Sequence, residues 1–279
     1  MADQASPQYH LHLRPGDVGR YVLLPGDPGR CALIADYFDN PHLIAQHREY
    51  TTYTGTLCGE KVSVTSTGIG CPSTAIAVEE LIAVGADTFI RVGTSGAMQP
   101  YIRTGDIAIV SAAIRDEGTT LHYAPIEFPA VANLDVLNAM RQGVRRLGLP
   151  HHVGVAHSKD SFYGEWAPDR MPGRERRQER WQSWVRCGSI CTEMEAATIF
   201  ILSSIYRKRS GGVMLMYELE SDEPKSDRER EDLEARSDIH RAIRAAIEIL
   251  LAEAGIKVQK VLMELDATTS PEGDRDPGH

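Results

Sequence analysis

Short apolar runs, each cut off by glycine or proline, alternate along the chain with longer stretches whose apolar residues recur every three or four positions. The first kind reads as buried strands and the second as amphipathic helices. Tyr21–Leu24, Phe89–Val92, Ile107–Val110, His152–Ala156 and Val213–Tyr217 are of the first kind, and Leu43–Tyr50, Thr52–Cys58 and Lys61–Ser66 follow one another as three strand-like runs. Helices are expected from about residue 28 to 37, 74 to 84, 132 to 147, 199 to 206 and 232 to 254. Ala75, Ile76, Val78, Leu81 and Ile82 give the second of these a broad apolar face, and Ile239, Ile243, Ile247 and Leu250 do so in the last. Strands alternating with helices predict a single α/β domain over residues 1–265, with a mixed, largely parallel central sheet flanked by helices. No internal repeat or linker divides it. Residues 266–279 are polar, with Pro271, Gly273, Pro277 and Gly278, and read as a disordered tail.

The places where strands end carry the candidate chemistry. Three runs break into glycine turns, at Pro25-Gly-Asp-Pro-Gly-Arg30, at Thr67-Gly-Ile-Gly-Cys-Pro-Ser73 and at Gly93-Thr-Ser-Gly96. In an open α/β sheet, ligands sit beyond the carboxyl ends of the strands. Arg91 lies inside an apolar run, where a cation is costly unless paired. It therefore faces either a bound anion or a carboxylate in a buried ion pair. Backbone donors at a helix N-terminus near Arg30 also favour an anion, and an ordinary strand-to-helix turn is the plainer reading there. Arg48 brings a further guanidinium, with a surface salt bridge as its default role. Glu193 and Glu195 stand where an apolar helix begins, a position that also suits a simple cap. Leu121–Pro129 is too rich in proline to be regular, and residues 164–180 read as a charged, irregular excursion broken by Pro168 and Pro172. Glu218 opens a polar run that continues through Glu220, Asp222 and Glu223.

Composition narrows the class of partner. A net charge of −9 over 279 residues argues against nucleic acid. No apolar run approaches the ~18 residues of a membrane span, and the N-terminus lacks a charged-then-apolar signal pattern. The five cysteines are scattered, without zinc spacing, and read as reduced thiols of a cytoplasmic protein.

Taken together and in this order, Pro25–Arg30, His47-Arg-Glu-Tyr50, Ser66-Thr-Gly-Ile-Gly70 with Pro72-Ser-Thr74, Arg91-Val-Gly-Thr-Ser-Gly96, His122–Pro129 and Glu193-Met-Glu195 resemble the nucleoside phosphorylase family whose members are trimeric or hexameric. The resemblance covers about residues 8–265, and the His122–Pro129 loop is more similar to the uridine-specific branch than to the purine-specific one. It implies phosphorolysis of a pyrimidine ribonucleoside, with inorganic phosphate as co-substrate and no required cofactor. By the same resemblance Gly26, Arg30, Arg91 and Thr94 bind phosphate, joined by Arg48 of a neighbouring subunit. Glu195, with Met194 and Glu193 beside it, holds the ribose, His10 of the neighbour meets the 5′-hydroxyl, and Phe162 lies against the base. A homo-oligomer follows, built from dimers and hexameric overall, with sites shared between subunits. Glu49, Ile69 and Ser73 match ligands of a potassium ion at the dimer interface. Two positions depart from the pattern. Glu165 stands nearest an expected glutamine, with Arg170 as the candidate for the arginine that follows it, and Tyr217-Glu218 replaces an asparagine-arginine pair. A purine or broad-specificity phosphorylase is therefore the alternative, and a non-catalytic nucleoside-binding relative a third. Loss of an anion ligand would mark the third, and Arg30, Arg48, Arg91 and Thr94 are all present.

Overall fold

The computed structural model of the protein describes residues 6–166, 168–218 and 238–253. Ten strands join one mixed sheet: β1 (Tyr21–Leu24), β2 (Asp39–His47), β3 (Tyr50–Leu57), β4 (Glu60–Thr65), β5 (Thr88–Ala97), β6 (Ile107–Asp116), β7 (Ala130–Val131), β8 (His151–Lys159), β9 (Cys191–Glu193) and β10 (Arg209–Tyr217). The parallel parts are β4-β1-β5-β10 and β6-β8-β9, and antiparallel pairings link them and add β3, β2 and β7. Helices α1 (Gly29–Ala35), α2 (Cys71–Ala83), α3 (Leu134–Arg146), α4 (Phe162–Trp166), α5 (Arg174–Arg186), α6 (Ala196–Ile205) and α7 (His240–Glu253) complete the described chain.

Strand alternation divides the core in two. Val22, Leu24 and Phe89 face α2 and α6, whereas Tyr21, Leu23, Ile90 and Val92 face α1, α3 and α7. Each fully buried large apolar side chain stabilises the fold by about 1.5–3 kcal/mol, so both layers hold the sheet rigid beneath the loops. The α/β class and the flanking helices agree with the pattern of the sequence.

Several expectations need correction. The sheet is not open: β5 pairs with β9 and β10, and β9-β8-β6-β10 closes the ring. Gly93–Gly96 is not a turn but the second half of β5, because β10 pairs with it as far as Gly96. Ile107–Val110 and Ala113–Arg115 are one strand, bent by a bulge between Val110 and Ala112. Phe162 starts a short helix, and the second part of the excursion, from Arg174, belongs to the 13-residue α5, since Pro172 and Gly173 precede it instead of interrupting it. The Pro-rich loop does lack strand structure, yet buried Arg115 fixes it by donating to Thr120 Oγ1 and to the carbonyls of Thr120, Ala124, Pro125 and Phe128. The proposed start of the last helix at residue 232 and the tail at 266–279 lie outside the described residues.

Candidate active site

On one side β5 follows β10 along almost its whole length, from Thr88 to Gly96. On the other, β1 pairs with it only over Thr88–Arg91, and β9 only at Gly96 and Ala97. The stretch between is left without a ladder partner. Into that gap come the chain leaving β9, with Glu193, Met194 and Glu195, the loop after β1, and the loop after β4. The two loops touch, since Thr67 N–H donates to Pro25 O at 2.9 Å, and a Cβ on Gly26 would lie 3.2 Å from Gly68 O.

Arg91 sits at the bottom of the gap, 5% exposed. Its Nη2 donates to Glu195 Oε2 at 2.5 Å, and its Nε lies 3.9 Å from Glu193 Oε2. Among the described residues Nη1 reaches only Leu24 O, at 3.4 Å, and Nε has no hydrogen-bond partner. The buried ion pair weighed from the sequence thus exists, and guanidinium donors remain beside it. Gly93 makes the room: a Cβ there would meet Met214 Sδ at 2.6 Å and Arg91 Cζ at 3.1 Å. Arg30, half-buried at the start of α1, has its pKa lowered by burial first and by the Arg91 charge second, and Asp27, Tyr217 and Glu195 counter this. Two guanidinium groups therefore share one partly desolvated space, an arrangement that favours an anion between them.

The carboxylates are ordered by backbone donors. Glu193 Oε2 accepts the N–H groups of Glu195 and Ala196 at 2.7 and 2.8 Å, and its Oε1 accepts the Ser158 hydroxyl. Burial first and the neighbouring Glu195 charge second raise the Glu193 pKa, and Arg91 opposes them. Glu193 therefore caps α6, as the plainer reading had it, and fixes the residue two places on. Glu195 Oε1 accepts Gly70 N–H at 2.6 Å, which ties the loop after β4 to α6. Thr94 is half-buried in the part of β5 that only β10 accompanies, and Met194 is half-buried beside Glu195. Gly26, Arg30, Arg91, Glu193, Met194 and Glu195 are thus brought together.

Other expected residues lie apart from this cluster. His10 binds Glu80 of α2, with Nδ1 and Oε1 2.7 Å apart, and Arg48 is exposed in the β2–β3 turn at φ 56°. Neither makes a hydrogen bond or ion pair with the Arg91 cluster. Phe162, 53% exposed, meets Tyr163 edge to face, and Arg170 is exposed in a 3₁₀ turn, Pro168–Arg170. The side chain of Glu165 lies outside the described residues. Glu49 and Ser73 flank Gly68, where φ is +69° and a Cβ would lie 2.8 Å from Glu49 Cγ and from Ser73 Oγ, and Ile69 beside it is 78% exposed. Glu218 is not a freely solvated carboxylate: Arg103 Nη1 holds it at 2.9 Å and Thr104 N–H donates to it. Its pKa is lowered although burial, the largest influence, pushes it up, because the Arg103 and Thr104 hydrogen bonds outweigh that. Ser158 was not singled out beforehand, since nothing local in the sequence tells which hydroxyl will meet a given carboxylate.

The α/β scaffold thus sets two guanidinium groups beside a carboxylate that backbone donors fix. Residues 20–253 match the family described as the phosphorylase superfamily, and the chain belongs to it. It is 47% identical to the uridine phosphorylase of Treponema pallidum over 86% of this chain and 92% of that one. It is 39% identical to a guanosine phosphorylase of Halorubrum lacusprofundi over 74% of this chain and 81% of that one. The crystal structure of uridine phosphorylase from Vibrio fischeri, complexed with 6-hydroxy-1-naphthoic acid, matches with a TM-score of 0.79 at 29% identity, covering 88% of this chain and 97% of that one. The chain is thus a nucleoside phosphorylase family member.

Proposed function

We propose that this protein cleaves uridine with inorganic phosphate, giving uracil and ribose 1-phosphate. The observation that carries the reading is the pairing of Arg91 and Arg30 beside Glu195, one side of the site cationic and the other a carboxylate acceptor. Phosphate would lie between the guanidinium groups and the residues at Gly26 and Thr94, with Arg48 of a second subunit completing the set. Glu195 would accept the ribose hydroxyls, and Arg91, in contact with both, would fix the distance between nucleophile and sugar. One phosphate oxygen forms a bond to C1′ as the C1′–N1 bond breaks. The electron pair leaves on uracil, where Arg170 would stabilise charge on the carbonyl oxygens and Phe162 would stack on the ring. Uracil takes its proton from water. Glu193 serves as a positioning residue, because it accepts the N–H groups of Glu195 and Ala196 and so sets where Glu195 lies.

The pairing of Glu218 with Arg103 supports the pyrimidine reading. A purine leaving group needs an acid, and an ionised carboxylate held by a guanidinium is a poor one. The exposed turn carrying Arg48, and His10 bound away from its own cluster, favour sites completed across a subunit boundary in a dimer-based homo-oligomer, here a hexamer. Glu49, Ser73 and the Ile69 carbonyl offer the oxygen types a potassium ion accepts, and such an ion would be structural, between subunits. Free thiols at Cys31, Cys71 and Cys191, buried and held protonated, suit a cytoplasmic setting. The domain is assigned to residues 1–265, with the remainder as a tail. Phosphorolysis of uridine, thymidine, inosine and guanosine, measured side by side, tests the reading. Uridine is expected to be cleaved fastest, and faster cleavage of either purine nucleoside would overturn the pyrimidine assignment.

A further inference from the structure

Helix α5 is an unusual passenger on this fold. It has no buried residue, and Arg174, Arg176, Arg177, Arg180 and Arg186 crowd it. Little apolar burial holds it, so its polar attachments decide where it lies. Toward the N-terminal side it grips the segment that carries Phe162 and Arg170. Arg177 packs on Gly164, where a Cβ would lie 3.2 Å from Nη1, and Gln178 Nε2 donates to Asp169 at 3.2 Å. Toward the sheet, Arg180 pairs closely with Asp116 at the end of β6, and Trp181 and Trp184 stand against the ring of His157. Gln99 adds bonds to the carbonyls of Val185 and Ser189.

Asp116 is shared between the helix and the interior. Its Oδ2 meets His157 Nε2 at 2.9 Å, and His157 is fully buried. The other ring nitrogen meets Thr192 Oγ1 at 3.2 Å, and Lys159 Nζ donates to that oxygen at 2.6 Å. Lysine and arginine have only donors. The contacts form one chain, from Lys159 to Thr192, from Thr192 to His157 and from His157 to Asp116, with Arg180 closing on Asp116 from outside. Thr192 also holds β5 through Ser95, whose hydroxyl donates to Thr192 O at 2.6 Å, and it directly precedes Glu193. The network thus runs from the surface helix to β5, which carries Arg91, and to β9, which ends at Glu193.

We propose that Asp116 and Arg180 are positioning residues for the nucleobase side of the site: they latch α5 to the sheet and through it hold Phe162 and Arg170 in place. The inference rests on the function proposed above. Its test uses the full-length protein with Arg180→Ala, Asp116→Asn and Arg180→Lys. Arg180 is half-exposed, so its removal leaves the core intact. In Arg180→Ala and Asp116→Asn the KM for uridine should rise about three- to tenfold, with the KM for phosphate unchanged. Hydrogen exchange over residues 162–186 should quicken while β5 and α6 stay protected, and Arg180→Lys should recover part of both effects. Unchanged exchange over 162–186 in both variants would overturn the latch. So would a rise in both KM values together with faster exchange throughout the chain. If the parent protein turns over no uridine, the function fails and exchange still decides the latch.

Discussion

Replacing Arg91 by alanine tests whether one guanidinium serves both the fold and the nucleophile. Arg91 and Glu195 are 5% and 3% exposed, and the pair spans 104 residues of sequence. Breaking a buried pair by removing one partner costs about 3–5 kcal/mol, because the other charge stays buried. Here the cost should fall at or below the lower end. Glu195 keeps the Gly70 N–H, and Glu193 is already displaced toward its neutral form by burial and by the Glu195 charge. Against a typical stability of about 5–15 kcal/mol the variant still folds. The pH dependence has a definite sign. Without Arg91 the folded-state pKa of Glu193 rises further above its unfolded value of about 4.3, so the folded state binds more protons than the unfolded one. Stability of the variant relative to the parent is then best at low pH and declines as pH rises through that folded pKa. For activity, losing the charge-assisted bonds to phosphate removes about 1.5–3 kcal/mol, or roughly 10- to 150-fold in kcat/KM for phosphate. Thermal unfolding at several pH values and phosphate saturation curves give both numbers. An Arg91→Ala protein with the melting temperature and phosphate saturation of the parent would refute the reasoning.

Gly93→Ala should be costly despite its size: the new Cβ would meet Met214 Sδ at 2.6 Å in a fully buried site and press on the Arg91 guanidinium, so about 1–3 kcal/mol of stability and a large part of phosphate affinity should go together. Calorimetry with phosphate titration checks it. The Arg103–Glu218 pair, whose carboxylate pKa is lowered, should add stability above the ordinary glutamate range and lose it as pH falls through the lowered value. Arg103→Ala should therefore differ from the parent at neutral pH and converge with it in acid, as followed by thermal unfolding. Mixing Arg48→Ala with Glu195→Gln protein should restore some activity if sites are completed by neighbouring subunits, and no recovery on mixing counts against shared sites.

The residues of the proposed anion site were legible because they lie within local sequence: an arginine inside an apolar run, and glycines where the chain must approach closely. Arg91, Gly26 and Arg30 belong to such signals. What pairs with Arg91 was not legible, since Glu195 reaches it only after β9 turns back along β5. Sheet closure was hidden for the same reason: β5 reads as a four-residue apolar run, and its polar half, Gly93–Gly96, is strand only because β10 accompanies it. Helix α5 lacks the apolar stripe that marks a helix in sequence, and its Arg, Glu and Gln residues favour helix by propensity alone. Nothing around Arg115 in the sequence marks it as the residue that holds a whole loop by its carbonyls.

The central claim is that phosphate, held at Arg91 and Arg30, is the nucleophile at the anomeric carbon of uridine. Phosphorus NMR of the purified protein with uridine and inorganic phosphate tests it most directly. The account predicts a ribose 1-phosphate resonance that grows mole for mole with released uracil and vanishes when phosphate is left out. Uracil released at an undiminished rate without phosphate, with free ribose as the product, would contradict it.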